Sequence, residues 1–317
     1  MIDTYGREIR YLRLSVTERC NLRCRYCMPE DGICKKRHEE MLTQEETISA
    51  IRAAASLGLS KLRITGGEPL VKPNIVDLCT QAAAVDGIRE VCLTTNGTLL
   101  PSLAKPLRDA GVNRLNISLD TLDAEKFRYI TRVGNLDDAL AGIKAALKSG
   151  YDRIKINAVL IGGFNDDEIP RMAELTREYP LDVRFIELMP MVDSGDFGPE
   201  SYLPYTVVTE RLKELEPVNP DGGVAKLYRL PGAQGNIGLI SPISAHFCAE
   251  CNRIRVTADG KVKPCLHSSD EISLKGLDED GMRETLRQAI LSKPRWHGEL
   301  SYRERSRAGR HMNQIGG

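Results

Sequence analysis

Cys20, Cys24 and Cys27 fall in the run Cys20-Asn-Leu-Arg-Cys24-Arg-Tyr-Cys27, spaced C-x3-C-x2-C. Three thiolates this close can converge on one metal centre. A structural zinc takes four ligands, and so does a cubane iron–sulfur cluster held wholly by protein. Three ligands leave one iron open, and an open iron can hold a small molecule. The spacing therefore points to a 4Fe-4S site whose unique iron is reserved for a ligand. A zinc site completed by a distant residue, or unpaired thiols in a loop, are the alternatives.

A second trio, Cys248, Cys251 and Cys265, is spaced C-x2-C-x13-C. With His246 it forms a candidate Cys3His zinc site; without it, a second open 4Fe-4S site. Between its members lies Asn252-Arg253-Ile254-Arg255-Val256-Thr257. On an extended segment Arg253 and Arg255 share a face, and guanidinium forks suit phosphate oxygens. The alternative is plain surface charge. Cys79 and Cys92 read as small buried hydrophobes, and Cys34 has no assigned role.

The elements that must position these residues follow from patterning. The chain has 317 residues, 41% hydrophobic and 28% charged, and its 44 basic and 44 acidic residues balance. That is an ordinary globular composition. It argues against nucleic acid as a bulk partner but leaves room for a local basic pocket. No apolar run approaches the roughly 20 residues of a membrane span, and the N-terminus shows no signal-peptide pattern. Nine cysteines without an export signal suggest a cytoplasmic, reducing setting, where clustered thiols serve metal or redox chemistry.

Strands are expected at 9–16, 61–65, 90–95, 113–119, 153–161 and 182–188. Helices are expected at about 43–58, 74–85, 99–110, 123–130, 136–149 and 166–178. Thr43 with Glu46 makes a capping box, and Gly58 ends that helix. Strands alternating with helices imply parallel βαβ units. Six units in so short a stretch suit an open, partial α/β barrel, since a full eight-unit barrel takes roughly 250 residues. Past residue 190 the pattern changes: a Pro/Gly/Tyr-rich loop at 190–205, a helix at 206–215, a Gly-rich linker at 219–223, and short strands at 224–230 and 237–240. The chain thus divides into 1–190 and 191–317. The arginine-rich tail from Trp296, ending Gly316-Gly317, is of a kind usually disordered.

The strands alternate rather than run continuously apolar, as Leu12, Leu14 and Val16 against Arg13 and Ser15 show. The apolar face should pack on helices and the polar face should line a cavity. An antiparallel sheet with one wet face is the alternative. Burying Arg13, Arg63 and Lys155 unpaired is costly, and a polyanionic ligand relieves that cost. The cysteine loop, Gly66-Gly67-Glu68-Pro69 and Thr94-Thr95-Asn96-Gly97 all follow strands, where active sites of such barrels lie. Gly66-Gly67 either lets the backbone approach a ligand closely or is a plain tight turn.

The first trio, with Tyr26 before its third cysteine, resembles the signature of the radical S-adenosylmethionine (SAM) superfamily. Together with Gly66-Gly-Glu-Pro, Leu93-Thr-Thr-Asn-Gly, Ser118-Leu-Asp, Phe185-Ile-Glu-Leu-Met-Pro, Cys251-Asn-Arg-Ile-Arg-Val-Thr and the terminal Gly-Gly, the whole chain is similar to the GTP 3′,8-cyclase family of molybdenum cofactor biosynthesis. The resemblance implies a partial (β/α)6 TIM-like barrel with a C-terminal extension carrying a second iron–sulfur site. It implies a lyase with two 4Fe-4S clusters and SAM as cofactors. It makes Cys20, Cys24 and Cys27 ligands of one cluster and Cys248, Cys251 and Cys265 ligands of the other. Tyr26, Gly67, Ser118 and Met189 would contact SAM. Arg13, Arg63, Thr94, Lys155, Arg253, Ile254 and Arg255 would contact GTP, and Gly316 and Gly317 would reach the active site. It further implies an electron donor, a monomeric or homodimeric enzyme, and a product passed to cyclic pyranopterin monophosphate synthase.

Overall fold

The computed structural model describes residues 1–34, 36–191, 197–219, 223–301 and 305–316. Six strands, β1 (Tyr11–Ser15), β2 (Lys61–Thr65), β3 (Glu90–Thr95), β4 (Arg114–Ser118), β5 (Arg153–Leu160) and β6 (Asp182–Glu187), alternate with helices. The helices are α1 (Gln44–Ser56), α2 (Ile75–Ala83), α3 (Leu100–Asp109), α4 (Ala124–Thr131), α5 (Leu136–Lys148) and α6 (Ile169–Glu178). Each strand pairs with the next in parallel, which removes the antiparallel alternative for this half.

The capping box at α1 forms as its sequence requires. The Thr43 hydroxyl accepts from the Glu46 amide at 3.1 Å and the Glu46 carboxylate accepts from the Thr43 amide at 2.8 Å. Gly58 then takes φ +86°, a conformation open to glycine at no steric cost.

The second half does not fold apart from the first. After α7 (Thr206–Arg211) come β7 (Glu216–Val218), β8 (Lys226–Arg229), β9 (Ile237–Ile240), β10 (Arg253–Val256), β11 (Lys261–Lys263), β12 (Ile272–Ser273), α8 (Glu279–Leu291) and α9 (Met312–Ile315). Its six strands join β1–β6 in one 12-stranded sheet in the order β12-β11-β10-β1-β2-β3-β4-β5-β6-β9-β8-β7. The extension grips the six-strand core from both edges: β9 runs parallel to β6 and β10 parallel to β1. Sequence patterning gave no sign that strands so far along the chain return to β1. Residues 192–196 of the expected loop and 220–222 of the expected linker lie outside the described residues.

The burial of β5 alternates perfectly: Ile154, Ile156, Ala158 and Leu160 are buried and the intervening residues half-exposed. The buried set, with Leu12, Leu62, Leu93, Leu115 and Ile254, forms one core beneath the helices. The other face carries Arg13, Arg63, Asn116, Lys155, Arg253 and Arg255, brought side by side by the register Arg255↔Arg13↔Arg63 and Asn116↔Lys155.

Candidate active site

β1 delivers the chain directly into the first cysteine loop. The Gly67 amide donates to Thr17 O at 2.8 Å and the Glu68 amide to Arg19 O at 2.8 Å. A Cβ on Gly67 would lie 2.5 Å from Arg19 O, and one on Gly66 2.6 Å from Thr17 O. The glycine pair is therefore required by the close approach of the chain's own cysteine loop. On its far side the loop is tied to the end of α4, with Arg23 N donating to Thr131 O and Arg25 N to Ile130 O. Arg132, held at φ +64°, donates to Arg23 O at 2.8 Å.

Buried carboxylates staple the loops at the strand ends, a role that sequence reading missed. Glu68, 1% exposed, accepts from Leu70 N, Thr95 Oγ1 and Asn96 N, and burial pushes it up to about 7 despite these bonds. Glu168 accepts from Thr121 Oγ1 and Leu122 N, and Glu187 from Tyr205, Ile243 and Ser244 amides. Asp120 joins the Tyr26 hydroxyl (2.7 Å) to the Val159 amide (2.9 Å) and is pushed up to about 6 by burial. Glu68 lies three residues past β2 and Asp120 two past β4, whereas Glu187 ends β6, so no shared spacing marks them.

The three thiols of the first trio feel one another. Burial, opposed by the Leu22 amide, pushes Cys20 up to about 11, and burial with the Cys20 charge pushes Cys27 up to about 12. Burial, Cys27, Asp120 and Cys20 push Cys24 well above its ordinary value. Three mutually repelling thiolates on a half-buried loop fit a cationic metal centre, because coordination holds thiolates ionised. Among the described residues no three His, Cys, Asp or Glu groups come together tightly enough for a single metal ion. Three thiols carried on one loop are the donor chemistry that an iron–sulfur cluster takes.

In the second trio one thiol, Cys251, is shifted the opposite way. Lys293, 3% exposed, donates to Pro264 O at 2.7 Å. Burial opposes the Cys251 thiolate, but Lys293 and Arg253 outweigh it and lower that thiol. Burial raises Cys248. Arg7 donates to Cys248 O (2.9 Å), Pro294 O (2.8 Å) and Arg295 O (3.1 Å), so the N-terminal arm braces this loop. The His246 ring lies against Trp296 and His297 at 5.8 and 5.6 Å, and no Cys3His group forms among the described residues.

Between the trios lies the cation face. β10 and β1 run parallel, so the second trio sits before β10 and the first beyond the far end of β1, a span of roughly 15 Å for such short strands. Burial, Arg255, Arg63 and Arg253 together push the Arg13 guanidinium well below its ordinary range, with Tyr11 opposing. Burial and Arg253 lower Arg255 to about 10, against the pull of Cys265 and Cys251. Arg63 donates to the Tyr11 hydroxyl and, at 3.1 Å, to Thr94 Oγ1. Burial opposes its charge, but Tyr11, Cys92 and Glu90 hold it above the usual value. Arg255 is 8% exposed, so the surface-charge alternative fails for it.

The tail is the clearest departure from expectation. Residues 305–316 are placed, with α9 packed through Met312 and Ile315 on Met191, Met189 and Leu266. Gly316 O accepts from Arg255 at 2.8 Å and Arg13 at 3.2 Å. Asn313 Nδ2 donates to Glu18 O at 3.0 Å, and the Asn313 amide favours the Cys27 thiolate. The tail thus orders because buried cations and the cysteine loop supply its partners. Gly317 lies outside the described residues.

Ser118 ends β4 opposite Asn157, beside Asn116 and Lys155. Ile254 is fully buried in the core, so only its backbone can serve a ligand on the cation face. Cys79 is buried in α2 as expected; Cys92 is buried but shares the polar face, where it donates to Glu90.

Residues 14–176 match the Radical SAM superfamily and residues 181–298 match Molybdenum Cofactor Synthesis C. The chain is 47% identical over 323 residues to the GTP 3′,8-cyclase of Alkaliphilus oremlandii, covering 100% of both chains. It is also 47% identical over 328 residues to that of Moorella thermoacetica, again covering 100% of both. Among solved structures it resembles Streptococcus suis SuiB bound to S-adenosylmethionine, with TM-score 0.67, 16% identity, and 92% of this chain and 67% of that chain covered. It resembles anSMEcpe with bound AdoMet at TM-score 0.57 and 14% identity, covering 88% and 84%. These structural likenesses speak to fold alone.

Proposed function

This chain belongs to the GTP 3′,8-cyclase family of the radical SAM superfamily, and from that premise we infer that it converts GTP to 3′,8-cyclo-7,8-dihydroguanosine 5′-triphosphate, the first step of molybdenum cofactor biosynthesis. In that reaction a hydrogen leaves C3′, C3′ joins C8 of guanine, and N7 gains an electron and a proton.

The first 4Fe-4S cluster would be held by Cys20, Cys24 and Cys27 and the second by Cys248, Cys251 and Cys265, with Tyr26, Gly67, Ser118 and Met189 toward SAM. When bound, the first cluster and SAM supply one-electron, hydrogen-abstracting chemistry. The chain's own part is to bind, orient and keep dry. Arg13, Arg63, Arg253, Arg255 and Lys155 hold the triphosphate, Thr94 steadies Arg63, and Ile254 offers backbone. Gly316 closes the arginine end. Burial of Arg63 and Arg255 also strengthens their charge–phosphate contacts.

The observation that carries this reading is Arg13, whose charge is opposed by burial and by three neighbouring arginines. A triphosphate relieves that repulsion; a neutral peptide or sugar does not. The region 1–190 then supplies the radical chemistry and 191–317 the arginine pair and the second trio. An external electron donor, a monomeric or homodimeric state, cytoplasmic location and transfer of product to cyclic pyranopterin monophosphate synthase complete the reading. No described helix is long and apolar enough to cross a membrane.

Anaerobic incubation with SAM, dithionite and GTP deuterated at C3′ tests it. The expected products are deuterated 5′-deoxyadenosine and a nucleotide isobaric with GTP but chromatographically distinct. Unlabelled 5′-deoxyadenosine with unchanged GTP would overturn it.

A further inference from the structure

The electron that the reaction consumes comes from outside the chain, and the structure offers one approach to the first trio that avoids the substrate chamber. A cavity of about 450 Å³ opens between the cysteine loop, residues 31–33 and 36–42, and Val71–Pro73, with Cys20 in its wall. None of the cation-face residues and no part of the tail lines it.

Its charges are unequally satisfied. Glu18 is neutralised by Lys36 at 3.1 Å. The Arg23 guanidinium is engaged by Cys20 O (2.8 Å) and Leu22 O (2.9 Å). Arg19, exposed, and Lys72, half-buried, have no side-chain partner among the described interactions. Burial alone acts on the Lys72 ammonium, lowering it. Asp31 is the exposed carboxylate of the wall. An ammonium partly withdrawn from water is favoured by an anionic partner.

We propose that this cleft is the docking face for a small acidic one-electron carrier protein, whose carboxylates pair with Arg19 and Lys72. The inference rests on reading the first trio as the cluster that must be reduced. A partner's carboxylate on Arg19 sits one residue from Cys20, which brings the carrier against the cluster's own ligand loop. A free anion would satisfy the same charges but bring no electron. In the transfer the carrier is oxidised by one electron and the cluster reduced by one, with no bond made or broken. Opposite charges at the contact raise the encounter rate by 10-fold or more at low salt, about 10–10³-fold in general.

The test uses the reconstituted holoenzyme and reduced flavodoxin as the acidic probe, following cluster reduction by the loss of visible absorbance. For Arg19→Glu/Lys72→Glu we expect reduction by flavodoxin to slow by at least about tenfold and to lose its ionic-strength dependence. Dithionite-driven cyclisation by the same variant should match the parent, which also shows that it folds and loads iron. Arg19→Gln/Lys72→Gln should slow less, and Lys148→Glu, a charge reversal on the exposed end of α5, should not slow at all. Parental flavodoxin kinetics in the double charge reversal, or equal slowing by Lys148→Glu, would overturn the docking face. If the parent itself makes no cyclised nucleotide with dithionite, it is the proposed function that fails.

Discussion

At the scale of single residues, the cation face is a set of like charges held together by their backbones. The register places Arg255, Arg13 and Arg63 on adjacent strands, and Lys155 projects on the same face two strands beyond Thr94. Lys155→Ala should weaken GTP binding by roughly 10- to 150-fold, as expected for one charge-assisted bond of about 1.5–3 kcal/mol. Equilibrium binding of GTP to the purified variant measures this. Gly67→Ala makes a different demand, because its Cβ meets backbone at 2.5 and 2.7 Å. Backbone cannot rotate away, so the Glu18–Arg19 segment must shift, at about 1–3 kcal/mol. Cys20 moves with it. Iron per chain in that variant should fall by about half, the first cluster being lost and the second retained, with SAM binding lost in parallel.

At the scale of elements, local signals are strong where the chain sees only itself. The α1 cap is one such place, with both arms of the box formed. Thr43→Ala removes the acceptor for the Glu46 amide and should cost about 1 kcal/mol, a fall in Tm of about 2 °C for a chain of this size. A calorimetric scan reads it. Polarity alternation likewise placed Arg13, Arg63 and Lys155 on the inner face, because side chains of a strand point to opposite sides with period two. The strand-end carboxylates escaped notice for the converse reason. Glu68, Glu168 and Glu187 are hydrogen-bonded to loops separated from them in sequence, and nothing local distinguishes such a glutamate from a solvated one.

At the scale of the whole molecule, the tail is fastened by a buried ionic clasp. Arg310 donates to Asp259 at 3.0 and 2.9 Å and to Glu271 through two bonds of 2.6 Å. Lys36 joins Asp259 to Glu18 of the cysteine loop. Arg310→Met leaves two carboxylates facing each other and should cost about 3 kcal/mol. Hydrogen exchange should show residues 308–316 losing protection while β3 and β4 keep theirs. Burial alone would raise the Asp259 carboxyl, but bonds from Arg310, Lys36 and Thr257 take it well below its ordinary value of 3.8. Its contribution is therefore complete above that ordinary value and is lost as pH falls toward the depressed folded one. The stability gap between the parent and Asp259→Asn should stay level from pH 8 to about pH 4 and narrow below it. A gap that instead grew on acidification would contradict the clasp.

The sequence by itself determined what is repeated locally or written in side-chain chemistry. The alternating strands and helices, the α1 cap, the two cysteine trios as sequence features and the polar strand faces were all legible, because each depends on residues close by in the chain. Only the tertiary structure decided how distant pieces meet. It returned β10 to the side of β1, turned Gly66-Gly67 toward the chain's own loop, drew Arg7 and Lys293 around the second trio, and folded a tail of disordered type onto Arg13 and Arg255. Pairings across more than two hundred residues leave no periodicity in the sequence. They exist because one continuous sheet must satisfy its edge hydrogen bonds and a crowded set of buried cations must find acceptors.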